Sequence, residues 1–196
     1  MIPPFYAFAK WLVWAILSLG WRFRIVGAEN VPRSGPLIVA CNHIAYLDPP
    51  ALGAAVPRPV TYMAKEQLFK IPVLGPVITG LGAFPVDRSR GDVAAMKTAL
   101  GILKTGACLG IFPEGTRNPD GTGKPQMGVA LLAAKSGATV LPAYVSGTSQ
   151  AKRLARITIT FGEPLRFVPE GKATREDLAK WTGELMRRIY ALRGRG

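Results

Sequence analysis

Short apolar runs alternate with helical segments along most of this 196-residue chain, and this alternation constrains the fold more than any other feature. The runs with the length and composition of strands are residues 23–27, 36–42, 59–65, 107–112, 138–147 and 155–164. Helical periodicity is present at 92–104 and 127–136, and Thr174 with Asp177 resembles a capping box that opens a last helix to about Arg193. This order predicts a single α/β layered domain, with a mixed, mostly parallel sheet flanked by helices.

Proline and glycine subdivide the rest of the chain. Residues 66–84 are apolar but contain Pro72, Pro76 and several glycines, so we expect short helices joined by tight turns, and 68–82 could wall a groove for an apolar ligand. A turn separates the first two predicted strands. Pro142 lies inside the strand 138–147, and because proline cannot donate to a ladder, we expect it at a sheet edge or a bulge.

Charge and composition narrow the class of partner. The net charge is +13, yet 48% of the residues are hydrophobic and the mean hydropathy is +0.20. A disordered basic tail would lack these apolar residues. Nucleic acid would account for the charge but not for the apolar content, so we expect no nucleic-acid partner. The combination favours an anionic membrane surface.

The first segment indicates how the chain meets that surface. Residues 5–20 are apolar except for Lys10 and Ser18, but they are fewer than the roughly 20 residues that span a bilayer. Aromatic residues crowd the segment and Arg22 follows it, a pattern typical of the headgroup boundary. We therefore expect residues 1–22 to form a membrane-interface anchor helix of a peripheral or monotopic protein, with a buried capping helix as the alternative.

Cysteine and histidine are scarce, which limits the available chemistry. Cys41 and Cys108 lie in apolar runs and are typical of buried thiols in a reducing compartment, so we expect the protein at the cytoplasmic face of the membrane. One histidine and two distant cysteines predict no metal site. Any imidazole chemistry must use His43, with Cys41 as an alternative nucleophile beside it, although its apolar run favours packing.

Asp48 follows the single histidine at a suggestive distance. His43 comes directly after a predicted strand, where α/β sheets build their sites. Across a turn that enters a helix, the Asp48 carboxylate can hold Nδ1–H of the imidazole and leave Nε2 as a base. Taken alone, this spacing is also typical of a structural histidine beside a capping aspartate.

A second polar block, Phe-Pro-Glu-Gly-Thr-Arg at 112–117, follows another predicted strand. Arg117 could bind phosphate oxygens and Glu114 could accept from hydroxyl groups, which suits a polyol phosphate; the alternative is a tight turn with a surface ion pair. Arg88, after Gly82 and Phe84, could add a second cation, although a lone Asp-Arg pair is more often a surface ion pair.

Together these blocks resemble the glycerophospholipid acyltransferase family, the 1-acylglycerol-3-phosphate O-acyltransferases. The family carries an NHxxxxD block, a Gly/Phe/Arg block, an FPEGTR block and a late hydrophobic-Pro block, and the resemblance covers about residues 25–150. The matching residues are Asn42, His43, Asp48, Gly82, Phe84, Arg88, 112–117 and 140–142. Asn118 departs from the serine that often follows FPEGTR.

The resemblance implies a function for the predicted residues. Residues 23–196 would be an acyltransferase domain in which His43, oriented by Asp48, takes the proton from a lysophospholipid hydroxyl, which attacks an acyl thioester without an acyl-enzyme. Acyl-CoA or acyl carrier protein would be the co-substrate and no cofactor is implied. The residues implied to bind the acceptor phosphate and glycerol are Lys65, Arg88, Glu114, Gly115, Thr116 and Arg117.

Two alternatives stay open at this point. The first is the same chemistry on another acceptor, such as glycerol-3-phosphate, a lyso-lipid in remodelling or an amino-acid-derived lipid. The second is a non-catalytic peripheral lipid-binding protein, against which the intact His43 and Asp48 argue. The C-terminal arginines could contact anionic headgroups or an acidic acyl carrier protein, or could simply favour the end of the last helix dipole. They are Arg187, Arg188, Arg193 and Arg195.

Overall fold

The predicted strands form one sheet in a computed structural model that describes residues 3–87, 92–120, 123–169 and 171–195. Within those residues the sheet has seven strands in the order β1-β7-β6-β2-β5-β3-β4. The strands are β1 Arg24–Val26, β2 Leu37–Cys41, β3 Val60–Lys65, β4 Phe84–Val86, β5 Cys108–Ile111, β6 Thr139–Ser146 and β7 Thr158–Phe161. Only the β6–β7 pair among them is antiparallel, which confirms the predicted mixed, mostly parallel sheet.

Helices connect the strands and cover both faces of the sheet. They are α1 Pro4–Trp21, α2 Asp48–Ala55, α3 Glu66–Phe69, α4 Leu74–Gly80, α5 Val93–Lys104, α6 Gly128–Ser136 and α7 Arg175–Tyr190, with 3₁₀ helices at Ala28–Asn30 and Thr148–Arg153. The predicted capping box is present at the start of α7, where Thr174 and Asp177 exchange hydrogen bonds. The broken apolar stretch forms the short α3 and α4, as its prolines predict.

Alternation along β2 creates two separate cores. Leu37, Val39 and Cys41 join the core under α1 and α2, while Ile38 and Ala40 join the core under α5, α6 and α7. All five β2 residues are fully buried, as expected for a central strand covered on both faces. The result is a three-layer α/β/α arrangement.

The sheet order differs from a sequential reading of the strands. The first two predicted strands are not neighbours, because β1 pairs in parallel with β7 at the far end of the chain. Pro142 lies in the interior strand β6, not at an edge. The ladder to β7 begins one residue later, at Ala143, and an isolated bridge from Val140 to Leu165 precedes it. Pro142, which has no backbone N–H to donate, therefore lies where the hydrogen-bond ladder between β6 and β7 is interrupted.

Parallel pairing brings the predicted site residues to one edge of the sheet. The registers Ala40 with Ile111 and Cys41 with Ala143 place the carboxyl ends of β2, β5 and β6 side by side. β3 and β4 end at the same edge, since Lys65 pairs with Val86. The polar segments that follow these strands therefore meet, as in other open α/β sheets.

Helix α1 packs against the domain along one side only. Leu17 is buried in the core, and the Tyr6 hydroxyl accepts a 2.8 Å hydrogen bond from Val60 N–H at the start of β3. At the other end, Trp21 Nε1 donates to the Ala151 carbonyl at 2.7 Å. Apolar side chains on the opposite side are exposed, namely Phe5, Phe8, Trp11, Leu12, Trp14, Ile16 and Leu19.

A glycine in β5 makes room for an aromatic side chain of β3. A Cβ atom on Gly110 would lie 2.3 Å from Cε1 of Tyr62 and 2.9 Å from Cγ1 of Val60. Tyr62 packs against the core and donates from its hydroxyl to the Pro49 carbonyl at 3.0 Å. Any larger residue at 110 must displace Tyr62 from that position.

We predict that Gly110→Ala lowers the free energy of unfolding by about 1–3 kcal/mol, because overpacking strains the core. The matched control is Gly101→Ala in α5, where a Cβ meets no atom within 4 Å. That change should raise the free energy of unfolding by up to about 1 kcal/mol through helix propensity. Chemical denaturation followed by circular dichroism measures both, and shifts of the same sign would contradict the steric argument.

Candidate active site

His43 and Asp48 form a hydrogen-bonded pair at the carboxyl edge of the sheet. The distance from His43 Nδ1 to Asp48 Oδ2 is 2.8 Å. Asp48 is fully buried, while 12% of the His43 side chain is exposed. Because a carboxylate oxygen accepts, Nδ1 is the donor of this bond, and in a neutral imidazole Nε2 then keeps its lone pair, which is the arrangement that a general base requires.

Asn42 follows β2 directly and precedes the histidine of this pair. Its side chain donates from Nδ2 to the Val145 carbonyl at 3.0 Å and accepts from Val145 N–H at 2.7 Å. The amide thus replaces a backbone partner of β6 at the point where β2 stops. The next residue, His43, leaves the sheet and enters the turn that leads to α2.

The Asp48 carboxylate organises that turn. Its Oδ2 atom accepts from Ile44 N–H at 2.6 Å and from Ala45 N–H at 2.7 Å, besides His43. Its Oδ1 atom accepts from the Thr148 hydroxyl at 2.6 Å. A buried carboxylate is costly unless it is hydrogen-bonded, and these donors meet that need. Asp48 therefore does more than cap the start of α2, because it also binds the His43 imidazole and the Thr148 hydroxyl.

Phe112, which follows β5 directly, stacks against the imidazole of His43. The ring centroids of His43 and Phe112 are 4.3 Å apart with planes inclined by 26°, and Tyr62 stacks next to Phe112 at 6.2 Å. This stack restricts rotation of the imidazole. The predicted 112–117 block therefore reaches the site through its first residue as well as through its polar ones.

Glu114 holds the backbone at the histidine. Its Oε2 accepts from His43 N–H at 2.7 Å, and its Oε1 accepts from the Tyr190 hydroxyl at 2.8 Å and from Asn118 Nδ2 at 3.5 Å. The side chain is only 3% exposed, and burial raises the pKa of its carboxyl group, against the lowering effect of the Tyr190 hydrogen bond. The structure thus places both Glu114 oxygens in internal contacts.

Arg117 lies at the open side of the site. Its guanidinium carbon is 3.7 Å from the ring centroid of Tyr46, a cation–π contact, and both side chains are exposed. Thr116 is exposed beside it, and Gly115 has the positive φ of 70° that the turn requires. Tyr46 was not predicted from the sequence, because nothing but the fold brings it to Arg117.

The other predicted cations are only partly located. Lys65 is exposed at the end of β3, on the same edge as His43. Arg88 lies outside the described residues. Its predicted role is therefore tested by nothing in the structure.

Neither thiol is in an environment that favours the reactive thiolate. Cys41 is fully buried in the core under α1 and α2, and burial raises the pKa of its thiol well above the usual value. Burial likewise raises the pKa of Cys108 to about 12. Since the thiolate is the reactive form, the packing role expected for Cys41 is the one that the structure supports.

An apolar cavity adjoins the 112–117 turn. Its volume is about 580 Å³. Its lining is mostly apolar and includes Met63, Val93, Met96, Ile111, Phe112, Gly115, Val129 and Leu131, with Asp87, Asp92, Gln126 and Lys135 as its charged and polar members. None of the described lining residues comes from 68–82, the segment expected to wall a groove, so this cavity is bordered by β3, β5, α5 and α6 instead.

Comparison with known proteins agrees with this geometry. A family model described as Acyltransferase matches residues 22–146. A Bacillus subtilis protein named 1-acyl-sn-glycerol-3-phosphate acyltransferase is 32% identical over 192 residues, covering 95% of this chain and 96% of that protein. A Borreliella burgdorferi protein of the same name is 33% identical over 133 residues, covering 66% of this chain and 53% of that protein.

A solved structure extends the likeness to the fold. The crystal structure of the 1-acyl-sn-glycerophosphate acyltransferase PlsC from Thermotoga maritima matches with a TM-score of 0.70 and 29% identity. The match covers 96% of this chain and 82% of that one. With the family model spanning more than half of the sequence and the site built from its predicted residues, this chain belongs to the acyltransferase family.

Proposed function

We propose that this enzyme transfers a fatty acyl group from a thioester to the free hydroxyl of 1-acylglycerol-3-phosphate, which yields phosphatidic acid for phospholipid synthesis. The observation that carries the proposal is the His43 imidazole, fixed by Asp48 at 2.8 Å and presented at the open edge of the sheet. The named activity of the relatives from Bacillus subtilis and Borreliella burgdorferi supports the acceptor.

The geometry supports a direct transfer. His43 Nε2 removes the proton from the acceptor hydroxyl as its oxygen attacks the thioester carbonyl. The C–O bond forms, the C–S bond breaks, and the imidazolium returns its proton to the leaving thiolate. No acyl-enzyme is required, and the two buried thiols offer no alternative nucleophile.

Substrate binding is divided between a polar and an apolar part of the site. Arg117, held flat by Tyr46, would bind the acceptor phosphate through its exposed guanidinium, and Lys65 and Arg88 would add charge. The cavity beside Phe112, whose lining is mostly apolar, would take the acyl chain of the donor. Acyl-CoA and acyl carrier protein both fit this proposal as donors, and the reaction needs no cofactor.

Glu114 has a different proposed role from the one its sequence context implied. Contact with glycerol hydroxyls stays a prediction that nothing in the structure tests. Both carboxylate oxygens accept internal hydrogen bonds, one of them from His43 N–H. We infer that Glu114 acts through His43, by fixing its backbone N–H. It would then be a positioning residue.

The exposed side of α1 fits the membrane interface. No helix in the described part of the chain has the length and hydropathy to cross a bilayer. The exposed aromatic and aliphatic side chains of α1 suit insertion at the headgroup boundary. The free thiols of Cys41 and Cys108 support the cytoplasmic face for this proposal, because thiols persist in a reducing compartment. Of the C-terminal arginines, Arg187 and Arg188 both pair with Glu184 on the surface, so their charge toward an anionic partner is partly neutralised.

The proposed function predicts that His43→Ala loses at least about two decades of kcat, the usual worth of a general base. Purified protein in mixed micelles receives lysophosphatidic acid with an acyl-CoA or an acyl carrier protein thioester. Released thiol and phosphatidic acid are followed together. Cys41→Ala is the control and should keep the rate within about threefold, since its thiol is buried.

Each contrary outcome has a distinct meaning. An unchanged rate in His43→Ala would overturn the base mechanism. A folded, lipid-bound wild type that is silent with both donors would overturn the acceptor, and other lyso-lipids or glycerol-3-phosphate would be tested next. Loss of activity in Cys41→Ala alone would revive the thiol nucleophile.

Glu114→Gln should lower kcat about tenfold while leaving KM for the acceptor within about twofold, because the amide keeps one acceptor but not two. A glutamine Oε1 can still accept from His43 N–H, whereas Glu114→Ala removes both contacts and should cost more. Steady-state kinetics with varied lysophosphatidic acid separates the two roles. A rise in KM with unchanged kcat would favour direct glycerol contact instead.

Removing apolar side chains from α1 should weaken membrane binding at least about tenfold, given the usual transfer free energy of buried apolar area. The test variant is Trp11→Ser with Leu19→Ser, and the matched control is Leu154→Ser with Val168→Ser, which are equally exposed apolar positions outside α1. Sedimentation with phosphatidylglycerol vesicles measures the bound fraction. Equal losses in both variants would refute a specific α1 interface.

A further inference from the structure

The two oxygens of the Asp48 carboxylate are held unequally. Within the described residues, Oδ2 accepts from His43 Nδ1, Ile44 N–H and Ala45 N–H, while Oδ1 accepts from the Thr148 hydroxyl alone. That bond is short, at 2.6 Å, and both residues are buried, with Thr148 only 3% exposed. The Thr148 hydroxyl is therefore the one hydrogen-bond donor to Oδ1 among the described residues.

The fold delivers Thr148 to this position from the neighbouring strand. β6 runs parallel to β2 and ends at Ser146, and Gly147 then turns with φ 84° into the 3₁₀ helix that begins at Thr148. A Cβ atom on Gly147 would lie 2.0 Å from the Arg156 carbonyl oxygen, so only glycine fits the turn. The same 3₁₀ helix is tied down through Ala151, which accepts from Trp21.

The Thr148 hydrogen bond restricts the χ2 torsion of Asp48, which the donors to Oδ2 alone do not restrict. The χ2 torsion of an aspartate is broad, and bonds to one oxygen allow the carboxylate plane to turn about that oxygen. A donor on Oδ1 sets the plane and thereby aims the Oδ2 lone pairs at Nδ1 of His43. The orientation of the imidazole and its tautomer both depend on that aim.

We propose that Thr148 is a positioning residue of the transferase reaction, acting through Asp48 to keep His43 in its Nδ1–H tautomer. It lies two residues beyond the stretch that the family model matches and 100 residues from Asp48 in sequence. Its role in catalysis rests on the proposed function, but its effect on the tautomer does not. A merely structural threonine would change stability and leave the tautomer alone.

The tautomer can be read directly because His43 is the only histidine in the chain. In protein labelled with ¹⁵N-histidine, the two ring nitrogens give one unambiguous pair of NMR signals. We expect a protonated Nδ1 and an unprotonated Nε2 in the wild type. Thr148→Val should move both nitrogen shifts toward tautomer-averaged values, whereas Thr148→Ser, which keeps the hydroxyl, should retain the wild-type pattern.

The matched control is Thr182→Val in α7. Thr182 is as buried as Thr148, at 2% exposure, and its hydroxyl donates to the Leu178 carbonyl within the helix and not to Asp48. This variant should keep both the NMR pattern and the rate. It separates the loss of a buried threonine hydroxyl in general from the loss of the one on Asp48.

Kinetics supply the second readout. Thr148→Val should lower kcat about ten- to a hundredfold, by analogy with the loss of hydrogen-bond partners that orient histidines at metal sites, with KM for lysophosphatidic acid within about twofold. Thr148→Ser should recover most of the rate. In an Asp48→Ala background, Thr148→Val should cost nothing further, because the two residues act as one unit.

Several results would overturn the proposal. Unchanged nitrogen shifts and kcat in Thr148→Val would do so, as would an equal loss in Thr182→Val. If Thr148→Val does not fold, Thr148→Ala replaces it, since alanine also removes the hydroxyl donor, and wild-type shifts and rate in that variant would count against the proposal. If the wild type shows no acyl transfer, the proposed function fails, while the NMR comparison still decides the role of Thr148.

Discussion

The Asp48 carboxylate is the group on which the candidate site depends. It is fully buried, and its donors come from the His43 imidazole, from the turn that follows β2 and from the segment that follows β6. Loss of one donor to a buried carboxylate costs the folded protein about 1–3 kcal/mol or more. The segments that follow β2 and β6 are therefore coupled through Asp48. The same interactions that make the charge tolerable inside the protein also define which imidazole nitrogen is free to act.

The topology of the sheet explains how such a site forms from distant parts of the chain. Parallel strands all end at one edge, so β2, β5, β3 and β6 deliver their following residues there without any local sequence relationship. Helix α2 begins at Asp48 and ends against α1, where Lys10 donates to the Val56 carbonyl. The helix that carries the exposed apolar surface is thus packed on the helix that carries the carboxylate.

The sequence predicts local features better than distant pairings, for a physical reason. Strand and helix periodicity, the capping box at Thr174 and the pairing of His43 with Asp48 all depend on residues near one another in the chain, and the structure has them. β4 was missed, since three residues with a central proline carry little strand pattern. The β1–β7 pairing and the hydroxyl of Thr148 on Asp48 have no such pattern either, because they join residues more than 90 positions apart.

Glu114 shows that a motif alone does not determine which contacts a side chain makes inside the protein. A glutamate beside an exposed arginine suggests a second ligand for the substrate, but the fold turns its carboxylate inward to His43 N–H and Tyr190. His43 is then held twice, at its ring by Asp48 and at its backbone by Glu114. Each of these carboxylates also accepts a hydrogen bond from a hydroxyl group in the C-terminal part of the chain. Thr148 and Tyr190 both lie beyond residues 22–146, so the matched stretch supplies His43 and the two carboxylates that hold it, while residues outside that stretch hold the carboxylates.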